Sequence, residues 1–318
     1  MSPSTSPTAA HAMLAGVHIV SLALNLPGPA ALMRLRSLGA RCTKVEAPAP
    51  AGAATSDPMA VYEARAYAEM HEGVEVVQAD LKSPQGQQRL HALLAQADVL
   101  LTSFRPAALA RLGLDAAALQ ARHPRLNVVQ IVGALGQGGD GSDRANEAGH
   151  DLTYQAEAGL VPGMEMPASL LADMAGALLT SEAVLACLLA RERSGAGCVR
   201  EVALLDGARW LAIPRRWGLT QPTAILGGQH AGYRIYPCLD GRVAVAALEP
   251  HFALRLWQQV LIDAGALGDA AQAEAAPDML ADDTRAAIAR FVAGRSCAQL
   301  EALAARHDVP LYPMPDAP

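Results

Sequence analysis

Aromatic residues make up only 4% of this 318-residue chain, so its interior must be packed by Ala, Leu and Val rather than by clusters of rings. The abundant alanines favour helices and let them approach closely. Charge is sparse as well. With 18% charged residues and a net charge of −6, no basic stripe is available to neutralise nucleic-acid phosphates, and nucleic acid is excluded as a partner. Cys42, Cys187, Cys198, Cys238 and Cys297 form no CxxC pair and have no histidines at zinc-ligand spacing. Reduced, mostly buried thiols and no metal site are therefore predicted. The N-terminus lacks a basic leader, and the short apolar run after it carries His18, so neither secretion nor a membrane is signalled and a cytoplasmic protein is expected. The first strand is followed by Leu26-Pro27-Gly28-Pro29 rather than GxGxxG, which argues against a nicotinamide cofactor. The loop Gly133 to Gly139, with Gly136 at its centre, lacks the Gly-Lys-Ser/Thr ending of a P-loop and reads as a plain flexible loop.

What is present alternates between two periods. After a Ser/Thr/Pro-rich start, residues 1–12, that reads as disordered, Val17 to Leu22 has the β-branched character of a buried strand. Pro29 then suits the first turn of a helix that Gly39 closes. Strands are predicted at Cys42 to Val45, Val99 to Leu101, Asn127 to Val132 and Val199 to Leu204, with helices over 106–112 and 116–123 between them. The longest helix runs from Asp173 to Arg193. A break at Pro214, Pro222 and Gly227-Gly228 precedes a hairpin, Tyr233 to Pro237 and Val243 to Leu248, and three further helices. The fold class is thus α/β: a Rossmann-like, doubly wound parallel sheet over residues 1–218, followed by a smaller α+β domain over 219–318.

Four residues attract a chemical reading. His150 follows a glycine-rich loop, where an imidazole can exchange a proton near neutrality; a solvated loop histidine is the plainer alternative. Asp151 can orient a substrate or act as a nucleophile, but also simply close an Asx-turn. Asp173, at the predicted start of the long helix, is equally an N-cap or a carboxylate held ready by the macrodipole. Glu249 precedes Pro250 at a cap position where Asp, Ser, Thr or Asn is usual, which favours a functional reading.

Read in order, Ala15 to Val20, Leu26-Pro27-Gly28-Pro29, Leu38-Gly39-Ala40, Lys44-Val45-Glu46, Asp80-Leu81-Lys82, Phe104-Arg105-Pro106 and Arg111 to Leu114 resemble the N-terminal half of family III CoA-transferases, the CaiB/BaiF family. The resemblance continues through Gly149-His150-Asp151, Leu171-Ala172-Asp173, the Arg191 to Gly197 turn and Asp240-Gly241-Arg242 to Ala247-Leu248-Glu249-Pro250. It implies an enzyme of acyl-CoA thioesters whose coenzyme A is part of the substrate, with no permanently bound cofactor. It also implies an interlocked homodimer.

The family holds both CoA-transferases and α-methylacyl-CoA racemases, and His150 with Glu249 makes this chain similar to the racemases. That resemblance implies His150 as base on one face of the substrate, Asp173 on the other, and Glu249 as support for the imidazole. A transferase would use Asp151 as nucleophile, and a degenerate homologue that binds without turnover is the third reading. CoA contacts are implied for Arg105, Tyr154, Gly136 and Lys44. The chain departs from its relatives at Ala47 and in Met70 to Glu75, where basic residues are usual, so weakened charge-assisted recognition of CoA is expected. It also ends at Pro318, before the usual return segment, and a looser dimer is the expectation there.

Overall fold

A strand buried on both faces has no need of polar alternation, and three strands among the described residues meet that condition. In the computed structural model, which describes residues 12–136, 143–268 and 273–316, β1 (His18–Ser21) is buried throughout. The start expected to be disordered lies, up to residue 11, outside those described residues. The chain divides into two compact units, Met1–Ala212 and Ile213–Pro318.

In the first unit β1 leads through α1 (Pro27–Ser37), β2 (Arg41–Glu46), α2 (Met59–Tyr62), α3 (Ala64–Met70), β3 (Glu75–Gln78) and α4 (Pro84–Leu94). There follow β4 (Val99–Thr102), α5 (Pro106–Arg111), α6 (Ala116–Arg122), β5 (Asn127–Val132), α7 (Asp151–Glu157), α8 (Leu171–Ser194), β6 (Val199–Ala203) and α9 (Leu204–Leu211). The six strands form one sheet in the order β3-β2-β1-β4-β5-β6, every pair parallel. Successive residues of the central strands feed opposite faces. Ile19, Leu101, Val129 and Ile131 pack with α1, α8 and α9, whereas Val20, Leu100 and Val128 pack with α4, α5 and α6. This is the doubly wound arrangement that the βα alternation predicts.

The topology places an opening at one spot. The chain builds outward from β1 to β3, returns, and builds from β4 to β6 in the other direction, so the connections leaving β1 and β4 diverge and a crevice opens beyond their C-terminal ends. Gly28 sets how closely α1 approaches that edge: a Cβ there would stand 2.1 Å from the Cβ of Ala23. The glycine is a packing requirement in the first turn of α1, after a connection with no dinucleotide fingerprint.

In the second unit, α10 (Ile213–Arg216) precedes β7 (Tyr233–Cys238), β8 (Gly241–Ala246), α11 (Pro250–Asp263), α12 (Asp282–Ala293), α13 (Cys297–His307) and β9 (Leu311–Pro315). The predicted hairpin is thus extended by a third antiparallel strand, in the order β7-β8-β9. Tyr236, Val243, Val245, Leu256, Ile288, Phe291 and Leu300 form its core.

Gly28→Ala is expected to destabilise the protein by about 1–3 kcal/mol through overpacking, read as a lowered urea midpoint at unchanged m-value. A midpoint within error of wild type would show that α1 and Ala23 separate freely.

Candidate active site

The crevice beyond β1 and β4 is a cleft of about 220 Å3 lined from separate connections of the first unit. Leu24, Asn25 and Pro27 come from the β1–α1 turn, Ser103 and Arg105 from the end of β4, and Gly133 from the end of β5. Gly149, His150, Tyr154 and Asp173 close the opposite wall. His150 and Asp173, 23 positions apart in sequence, therefore face one cavity.

Their placement depends on the residue between them in role, Asp151. His150 is the exposed N-cap of α7, where its backbone N–H donates to Thr153 Oγ1 at 3.1 Å and its carbonyl accepts from the same hydroxyl at 2.7 Å. Asp151, the first residue of that helix, is buried. Its Oδ2 accepts from Gln155 Nε2 at 2.5 Å and its Oδ1 from the backbone N–H of Asp173 at 3.0 Å. Helix α8 begins at Leu171 after Leu170, which offers no side-chain cap. Asp173 is consequently the third helical residue and not the N-cap that its sequence position suggests; the cap is supplied across space by Asp151. The amide of Asp173 is thereby committed and unavailable to a substrate oxyanion.

The charge of Asp151 also adds to what burial does to the acidity of Asp173. Burial, and then the charge of Asp151, push its carboxyl from the ordinary carboxylate range up to about 7. A group so placed is as ready to give a proton as to take one at neutral pH. Tyr154 shares this wall. Burial and the Asp173 charge push its phenol up, which keeps the hydroxyl protonated and a donor. Its hydroxyl occupies the space that a Cβ at Gly133 or Gly149 would take, 1.9 Å and 2.3 Å away respectively.

The remaining sequence candidates divide. Arg105 lines the cleft. Gly136 does not: it is exposed, Gly133 is the lining glycine of that loop, and residues 137–142 lie outside the described residues. Glu249 is an exposed N-cap of α11 in the second unit and makes no side-chain cap hydrogen bond. Lys44, implied as a CoA contact, is corrected outright. It is fully buried, and its Nζ meets Glu46 Oε1 at 3.0 Å, Asp57 Oδ2, and His71 Nε2 at 2.9 Å. An ammonium has three protons to donate, and three partners already receive them. Lys44 acts on the cleft at one remove: Asp57 Oδ1 accepts the backbone N–H of Asn25 at 3.1 Å, fixing a lining residue in the left-handed region at φ 61°.

Two contributors escaped the sequence reading. Gln155 is fully buried and holds Asp151; its i, i+4 spacing from that residue is a helical signal that becomes readable once α7 is recognised. Asn25 carries a weaker signal, as a residue type that tolerates positive φ in a turn.

The family model for CoA-transferase family III matches residues 14–317. The chain is 35% identical over 209 residues to a probable fatty acyl-CoA transferase of Mycobacterium tuberculosis, covering 61% of this chain and 51% of that protein. It is 30% identical over 255 residues to the alpha-methylacyl-CoA racemase of Homo sapiens, covering 75% of this chain and 62% of that protein. The chain thus spans between half and two thirds of the length of these curated relatives. A crystal structure of a hypothetical protein from Mycobacterium tuberculosis superposes with a TM-score of 0.70 at 25% identity, covering 93% of this chain and 83% of that one.

A carboxyl with a raised folded-state pKa binds its proton more tightly in the native protein. Its penalty is absent below about pH 4, grows as pH rises from about 4 to about 7, and is constant above that. Asp173→Asn is therefore expected to gain about 2–3 kcal/mol on wild type between about pH 5 and pH 8. Urea unfolding at both pH values checks this, and parallel stability curves would contradict it.

Proposed function

Because this chain belongs to CoA-transferase family III, we propose that its cleft epimerises the α-carbon of an acyl-CoA thioester by 1,1-proton transfer. The observation that carries this reading is that His150 and Asp173 line one cleft, while Asp151 is 5% exposed with both carboxylate oxygens engaged. One of the pair removes the α-proton, and the electron pair of the C–H bond moves into the thioester carbonyl. The other returns a proton to the opposite face of the enolate. Tyr154 and Arg105 line the same space and supply donors to the enolate oxygen as its charge develops. Glu249, which the family resemblance offers as support for the imidazole, belongs to the second unit and carries no step of this proposal.

CoA transfer through an acyl anhydride on Asp151 is the second reading, favoured by the 35% identity to the probable fatty acyl-CoA transferase. For that step Asp151 must release Gln155 and the amide that starts α8, which makes it a poorer nucleophile than an open carboxylate. An interlocked homodimer belongs to the same proposal. Met174, Leu178, Leu185 and Leu189 project from one face of α8, each between 41% and 57% exposed, and a second copy would cover that stripe.

The test is α-proton exchange of a 2-methylacyl-CoA in deuterated water, with no acid acceptor added. Wild type is expected to exchange, and His150→Ala and Asp173→Asn each to lose about 100-fold or more. In the direction where Asp173 is the base, the rate rises with pH through about 7; in the reverse direction, where it is the acid, the rate falls through the same value. Asp151→Asn is expected to retain exchange with this inflection moved towards the ordinary carboxylate range. An inert α-proton in a protein that binds the thioester, together with a mass shift on Asp151, would replace this reading by the transferase.

A further inference from the structure

The second unit brings together two cysteines that lie 59 positions apart. Cys238 ends β7 and is half-buried, and Cys297 is the buried first residue of α13. Their Sγ atoms stand 3.6 Å apart. Asp240, exposed in the turn between β7 and β8, brings Oδ1 to 3.8 Å from the Sγ of Cys238. The same oxygen accepts the backbone N–H of Cys297 at 2.6 Å, so the carboxylate is already oriented by its surroundings, as ligating carboxylates are.

Two thiolates on a tetrahedral ion at about 2.3 Å stand about 3.8 Å apart, and a carboxylate oxygen at about 2.1 Å stands about 3.6 Å from each sulfur. The three donor atoms all lie within 4.8 Å of one another. Their spacing is that of ligands sharing one ion, and the geometry points to a site for a soft or borderline divalent cation of the zinc class, held by Cys238, Asp240 and Cys297. Water supplies the fourth position at this exposed edge. Binding breaks two S–H bonds, forms two metal–sulfur bonds and releases two protons to solvent, with no change of oxidation state. The ion would tie the β7–β8 turn to the start of α13, which are otherwise joined here by hydrogen bonds such as that from Leu239 N–H to the Arg295 carbonyl.

This site is independent of the cleft chemistry, and its test reads neither activity nor CoA. The fully reduced chain is titrated with Cd2+ alone, and the sulfur-to-metal charge-transfer absorption is followed. One Cd2+ per chain is expected with a two-thiolate band, and both Cd2+ and Zn2+ should raise the thermal midpoint. Cys238→Ser is expected to abolish the band, Asp240→Asn to keep it while weakening affinity about tenfold or more, and Cys198→Ser to change nothing. Absence of the band in wild type, its survival in Cys238→Ser, or its loss in Cys198→Ser would each overturn the assignment. Should Cys238→Ser fail to fold, cadmium NMR of wild type decides: mixed sulfur–oxygen ligation supports the site and ligation by oxygen and nitrogen alone overturns it.

Discussion

One buried carboxylate governs the first unit's working end. Asp151 begins α7 and, through the amide of Asp173, also caps α8, whose own preceding residue is a leucine with nothing to offer. Two helix N-termini thus converge on one negative charge, which both macrodipoles favour. That charge is also what raises Asp173 beyond the effect of burial alone. Folding and acidity share a single residue: the carboxylate whose hydrogen bond starts the 24-residue helix adds its charge to the burial that raises the helix's third residue.

A second set of buried charges serves the other wall. Lys44 balances Glu46 and Asp57 in the core, with Tyr67 donating its hydroxyl to Glu46 at 2.9 Å, and Asp57 carries the arrangement to the β1–α1 turn through Asn25. Removing one member of such a set leaves an uncompensated charge, which costs more than the set contributes when whole. The cluster accordingly specifies where the turn sits. The resemblance implies Lys44 as a ligand contact, and strand position alone does not tell whether a lysine points outward or into a pocket of carboxylates.

Legibility followed the range of the interactions. The inner strands and α8 were readable because burial on both faces, or along a long helix, writes itself as apolar residues at the right period. β3 was not, since Glu75, Val76 and Gln78 are exposed at the sheet's edge and give no such run. β9 was hidden by Pro313 and Pro315, which an edge strand tolerates. At the site, His150 and Asp173 could be named in advance, whereas the cap that Asp151 provides could not, because it joins residues 22 positions apart. Cys238 and Cys297, 59 positions apart, carry no sign of their proximity in the sequence for the same reason. Contacts made only after folding leave no local period in the chain.

Tyr154 carries one more consequence. With its hydroxyl filling the places of two missing side chains, at Gly133 and Gly149, three positions on three different segments form a single steric unit. None of them can drift alone: a methyl at either glycine evicts the ring, and a smaller residue in place of the ring leaves a void beside Asp173. Across diverging sequences the trio should change as a block or not at all, so that two glycines followed by a tyrosine, separated in the chain as Gly133, Gly149 and Tyr154 are, would serve as a hallmark of this cleft shape even where the acid and base have been exchanged.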